Sequence, residues 1–227
     1  NPVTAYMVVN AGHNDALVGL GLLAGVLLAK RDRHTLATLA FAAAALVKAT
    51  AGLALIAYFV WLVYRRGPRA LVRPVAVTLA VTLPMVLVAG FRNVINPLLG
   101  ARETVLPHAP WNLLTPDGIT HAFGYGIPEL EPQERFSTWA LVTVLAVAAV
   151  FVVSRLKEPT PLFVAAGALL AYLFASAYTA PWFAAWVLPL LALRWRWRVG
   201  VYALAFFAIV MIDDRFGRAV YPQVYAR

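Results

Sequence analysis

Residues 35–64 carry a single charged side chain, Lys48. As one helix this stretch would run about 45 Å at 1.5 Å per residue, well beyond the roughly 30 Å hydrocarbon core of a bilayer. One helix would also place the basic cluster Lys30, Arg31 and Arg33 and the cluster Arg65, Arg66, Arg69 and Arg73 on opposite sides. The positive-inside rule wants them together. A hairpin turning at 48–52 meets both demands, with Gly52 easing the turn. The chain is therefore predicted to double back at Lys48.

A membrane enters the argument because 62% of the residues are apolar and only 13% charged, against about half and a quarter in soluble domains. Apolar runs separated by basic or polar breaks predict an all-α, polytopic transmembrane bundle of about eight membrane segments: 14–29, 35–47, 51–64, 74–91, 138–154, 161–176, 182–193 and 199–212. Several are shorter than the roughly 20 residues of a straight spanning helix. Short or broken helices are tolerated where protein or a water-filled cavity shields the backbone, so a cavity near the outer face is expected. With the hairpin in place, the breaks at 30–33, 65–73, 155–158 and 194–198 all face the cytoplasm. They hold twelve of the nineteen Lys and Arg residues and only Asp32 and Glu158 of the ten acids. His13, Asn14, Asp15 and Lys48 then lie on the extracytoplasmic side.

The net charge of +9 sits in short clusters between apolar runs, where membrane orientation explains it better than nucleic-acid binding. The absence of cysteine removes disulfides and thiolate metal sites. The first residues, Asn1-Pro2, follow no initiator Met, charged leader or cleavage site, which predicts that the chain is the C-terminal part of a longer protein. Residues 1–227 are expected to form one transmembrane domain. Within it, 92–137 is a long polar segment with six prolines, read as an ordered external loop that Trp111, Phe123 and Tyr125 help to pack.

Candidate chemistry gathers at the two ends of the first helical pair. Asn14 or Asp15 at a helix entrance serves as an N-cap in the simplest reading, but three polar side chains in a row, His13, Asn14 and Asp15, exceed what capping needs. A carboxylate there is stabilised by the helix dipole and could orient a sugar hydroxyl or a cation. His13 could shuttle a proton near neutral pH, or be a solvated surface histidine. Lys48 either snorkels from a helix end or meets a lipid phosphate, for which a compact ammonium is suited. Tyr178, Trp182, Phe183 and Trp186 flank Pro181 as an interfacial aromatic belt or a sugar-stacking platform. Gly21 and Gly25 form a small-xxx-small pair suited to helix packing. His108 and His121 lack a metal-ligand spacing, and the chain has no P-loop, G-x-G-x-x-G or G-x-S-x-G motif.

Four stretches together carry a resemblance: Gly12-His13-Asn14-Asp15-Ala16-Leu17; Ala29-Lys30-Arg31; Ala44-Ala45-Leu46-Val47-Lys48-Ala49; and Ala180-Pro181-Trp182-Phe183-Ala184-Ala185-Trp186-Val187-Leu188-Pro189. They resemble the integral-membrane GT-C glycosyltransferases, most nearly the polyprenol-phosphate-mannose-dependent alpha-1,6-mannosyltransferases and their relatives. The resemblance covers about residues 1–66 and 172–194 and leaves the middle loop unmatched. It implies transfer of a hexose from a polyprenyl-phosphate donor to a glycan or glycolipid acceptor outside the plasma membrane, without metal or cofactor. It also implies that the principal catalytic carboxylate lies in a loop preceding Asn1. Asp15, His13 and Asn14 become the catalytic candidates in this chain; Lys48, Arg92, Tyr178 and Trp182 become the substrate-binding ones. Two other classes compete: a transporter or flippase of anionic lipids with Lys48 and Arg92 along its pathway, and a noncatalytic scaffold in which Asp15 and Lys48 are silent.

Overall fold

The computed structural model describes residues 14–93, 133–175 and 183–194, with 198, 200–203 and 205. Seven α-helices follow one another: α1 (Asp15–Lys30), α2 (His34–Val47), α3 (Gly52–Arg66), α4 (Val72–Ala89), α5 (Gln133–Arg155), α6 (Leu162–Ala175) and α7 (Ala184–Ala192). No strand occurs among the described residues. Most of the expected 92–137 loop and of the last apolar segment, 199–212, lies outside the described residues.

Each helix stops for a local reason. After α1, the Asp32 N–H donates to Ala29 O and the Arg33 N–H to Leu28 O, both at 3.0 Å, the paired bonds of a Schellman cap. Asp32 occupies the left-handed position, φ 59°, where glycine is usual and aspartate is among the few tolerated side chains. Its carboxylate also accepts from Arg66 at 2.5 Å, which ties this turn to the end of α3. Gly67, at φ 80°, ends α3 directly before Pro68. At the other end, Lys48 breaks the helical run: its backbone is extended (φ −141°, ψ 113°) between α2 and a 3-10 turn, Ala49–Ala51. The expected reversal is thus present, and α2 and α3 are separate helices.

The four basic breaks come together at one end of the bundle. Asp32 joins the first to the second through Arg66. The Trp61 indole N–H donates to Glu158 O at 2.9 Å, bringing α3 to the turn after α5. Arg155 and Arg194 both lie over the Phe163 ring, at 5.7 and 5.2 Å. Lys48 and the start of α1 lie at the opposite end.

Helix α1 packs along α2 and against α7, and α6 is gripped by α3, α5 and α7. Small residues permit the close approach. A Cβ on Gly21 would lie 3.1 Å from Ala40 O, and one on Gly25 would lie 2.8 Å from the Phe41 ring, so both glycines of the small-xxx-small pair face α2. In lipid such packing, rather than expulsion from water, holds helices together. Every residue from 162 to 171 is buried, which makes α6 the interior helix.

Helix α4 has the same apolar character and the opposite environment. Of its residues only Pro74 is buried, while Leu79, Leu83, Leu87 and Val88 are exposed. With the preceding 3-10 turn it forms the one described helix, Pro68–Ala89, long and apolar enough to cross a membrane. At 22 residues it spans about 33 Å. An uncovered apolar surface of this kind marks contact with lipid or protein. Among the described residues, then, one helix qualifies as a candidate membrane span, and the expected eight or so segments are not confirmed. Helices α1, α2, α3 and α6 match the positions expected for spans but have only 14 to 16 residues, or about 21 to 24 Å.

Candidate functional site

The end of the bundle opposite the basic breaks holds the residues of interest. Asn14 occupies the N-cap position of α1 and is exposed; its carbonyl accepts from the Leu17 N–H at 3.0 Å, but its side chain makes no cap hydrogen bond. The next residue, Asp15, is 1% exposed. A carboxylate so enclosed needs partners, because burying a charge alone is costly. It has them. The Trp186 indole N–H donates to Asp15 Oδ1 at 2.5 Å, and Lys48 Nζ stands 4.0 Å from the same oxygen. The first turn of α1 adds the positive end of its dipole.

Lys48 reaches Asp15 because α1 and α2 form a hairpin, which puts the end of α2 beside the start of α1. Its backbone is extended and so no longer helical. It keeps 34% of its side-chain surface exposed. A partly exposed lysine side chain thus stands within ion-pair distance of a buried carboxylate.

Trp186 arrives from the far end of the chain, 171 residues after Asp15. It is fully buried on α7, stacked on Phe183 with ring centroids 4.1 Å apart and beside Tyr172 at 6.1 Å. Burial rules out the belt or platform roles for Trp186: no sugar face reaches its ring. The sequence contained one signal of the real role. A buried indole N–H needs an acceptor, and no acidic side chain lies on α7 to provide one.

Arg92 is exposed on the short helical stretch after Gly90. No hydrogen bond or ion pair joining it to Asp15 or Lys48 is among the described contacts. His13, Tyr178 and Trp182 lie outside the described residues. No group of three or more His, Asp or Glu placed to hold a metal ion occurs among the described residues.

A carboxylate bonded to an indole and paired with a partly exposed lysine suits a ligand with negative charge. Residues 1–65 match the family model described as alpha-(1->6)-mannopyranosyltransferase, N-terminal domain, a stretch that includes Asp15 and Lys48. No curated protein and no solved structure matches the chain. The match covers residues 1–65 of 227, and the name of that family implies a hexosyltransferase with a sugar donor and an acceptor. With the apolar helix α4 it suggests a membrane location.

Proposed function

We propose that this chain is part of a GT-C-type glycosyltransferase that moves mannose from a polyprenyl-phosphate donor to a hydroxyl of a glycan or glycolipid acceptor. The reaction takes place at the extracytoplasmic face of the cell membrane. The observation that carries this reading is the partly exposed side chain of Lys48, its ammonium 4.0 Å from a buried carboxylate, within the stretch similar to mannopyranosyltransferases.

In the transfer, the acceptor oxygen bonds to the anomeric carbon while the bond from that carbon to the donor phosphate oxygen breaks. The bonding pair leaves on the polyprenyl phosphate. The hydroxyl proton goes to a carboxylate base other than Asp15. Lys48 supplies positive charge where negative charge gathers on the departing phosphate, an interaction that is stronger in the transition state than in the ground state. Asp15, at 1% exposure, offers no surface to an acceptor hydroxyl. Its part in this reading is to hold Lys48, while Asn14, exposed at the same helix entrance, and His13, its neighbour in sequence, are assigned to contact with the substrate. Tyr178 and Trp182 provide a surface for the sugar, and Arg92 attracts the anionic donor. No metal or cofactor enters the scheme.

The test uses membranes containing the full-length protein, radiolabelled polyprenyl-phosphate-mannose and short alpha-mannosides. Lys48→Met keeps the aliphatic stem and removes the charge. It is expected to lower kcat by about 100- to 1,000-fold while the protein remains in the membrane at wild-type abundance. Wild-type transfer by this variant would refute the donor-phosphate assignment.

A further inference from the structure

We infer that Trp186 is a positioning residue for the transfer: its indole N–H fixes the Asp15 carboxylate, and through that carboxylate it fixes where the Lys48 ammonium meets the donor phosphate. The inference rests on the transferase reading above.

Lysine is a point charge on a flexible four-carbon stem. An ion pair with a carboxylate free to turn about its own side-chain torsions would leave the ammonium spread over several positions. The structure removes that freedom from the carboxylate side. Trp186 donates to Asp15 Oδ1, the same oxygen that faces Lys48. The indole itself has nowhere to go: it is fully buried, stacked on Phe183 and flanked by Tyr172. Its helix is also pinned. Gly19, one turn after Asp15 on α1, lies so close to α7 that a Cβ there would sit 2.1 Å from Ala185 O, the carbonyl next to Trp186. The contact between α1 and α7 thus sets the position of the indole, the indole sets the carboxylate, and the carboxylate sets the ammonium. Trp186 touches no substrate in this arrangement. Small displacements of a charged group at a reacting centre are costly, on the order of 100-fold for about 1 Å.

The bundle supplies its own control. Trp61 is 4% exposed, and its N–H donates at 2.9 Å to Glu158 O at the opposite end. Trp61→Phe therefore removes a buried indole hydrogen bond without touching Asp15 or Lys48.

The experiment compares Trp186→Phe, Trp61→Phe, Asp15→Ala and the double variant Asp15→Ala/Trp186→Phe in the full-length protein, with polyprenyl-phosphate-mannose and a short alpha-mannoside. Trp186→Phe keeps an aromatic ring at this position and deletes the donor together with part of the ring volume, a loss of volume that Trp61→Phe reproduces at the other end. Trp186→Phe is expected to lower kcat by about 10- to 100-fold, with the donor KM within about twofold. Trp61→Phe retains wild-type rates, and the double variant is no slower than Asp15→Ala alone. Independently of turnover, the 15N-labelled indole resonance of Trp186 shifts in Asp15→Ala while that of Trp61 stays.

A Trp186→Phe rate equal to wild type overturns the inference. So does an equal loss in Trp61→Phe, or a double variant slower than Asp15→Ala by the full single-variant factor. Should Trp186→Phe fail to accumulate, the indole resonance in Asp15→Ala decides: movement supports the inference and an unmoved signal overturns it. Wild-type protein that moves no mannose overturns the transferase reading and this inference with it, whereas an active wild type with any of the other failures overturns the inference alone.

Discussion

Replacing Gly19 by alanine probes how α7 reaches the start of α1. The added Cβ would lie 2.1 Å from Ala185 O and 3.2 Å from Pro189 Cγ, where ordinary contact begins at 3.4 Å. The clash is with backbone, so no side-chain rotation relieves it. Helix α7 must retreat by the difference between 3.4 and 2.1 Å, roughly 1.3 Å. Carried to the next residue, a shift of that size strains or breaks the Trp186 hydrogen bond to Asp15 Oδ1. Overpacking of this kind costs about 1–3 kcal/mol, and losing a hydrogen bond to a charged group costs about 1.5–3 kcal/mol more. The better helix propensity of alanine returns about 1 kcal/mol. The net expectation is a loss of about 2–4 kcal/mol, or a fall in Tm on the order of 5–12 °C for a chain of this length, followed by circular dichroism in detergent. Gly52→Ala is the counterpart. Its nearest neighbour would be Ala45 Cβ at 4.0 Å and its backbone is already helical, φ −57°, so it is expected to gain about 0.4–1 kcal/mol. A Gly19→Ala protein as stable as Gly52→Ala would refute the backbone contact on which α7 is seated.

Two further outcomes follow from features away from that contact. Asp32→Val forces a β-branched residue into the left-handed conformation and also removes the Arg66 pair, for a loss of about 2 kcal/mol. Asp32→Asn keeps a tolerated side chain and loses under about 1 kcal/mol, since Asp32 and Arg66 are 72% and 47% exposed. Equal losses in thermal unfolding would show that the backbone conformation is not what selects aspartate. A nitroxide on Leu79→Cys, at the middle of α4, is expected in liposomes to collide more with oxygen than with a polar nickel chelate. One on Arg69→Cys, in the turn before α4, is expected to do the reverse. A water-exposed probe at Leu79 would remove α4 from the bilayer.

The reversal at Lys48 was legible because it follows from length and charge: a 30-residue apolar run is too long for one crossing, and its flanking arginines belong on one side. Helix positions were legible for the same reason, since basic breaks punctuate them, and the structure gathers those breaks at one end through Arg66, Glu158 and Phe163. Which apolar helix is interior was not legible. Helices α4 and α6 are both apolar on all sides, so neither has a polar stripe to say which way it faces. The partner of Asp15 was hidden by sequence distance: an indole 171 positions away leaves no local pattern. Gly19 escaped notice because the spacing of Gly21 and Gly25 marks the α2 face, while the seat of α7 is a single glycine without a repeat.

The enclosed position of α6 bears on biogenesis. It is the sixth of the seven described helices in chain order, and its neighbours α3, α5 and α7 flank it on both sides in sequence. The contacts between α1 and α2 fall within a short span of sequence, so this hairpin can assemble as soon as it is made. The flank of α3 that receives α6 stays bare until at least residue 175 has emerged from the ribosome, and α7 then closes over it. Among the described helices the innermost strut is thus one of the last manufactured, and a nascent chain halted before residue 162 would leave the flank of α3 that receives α6 uncovered.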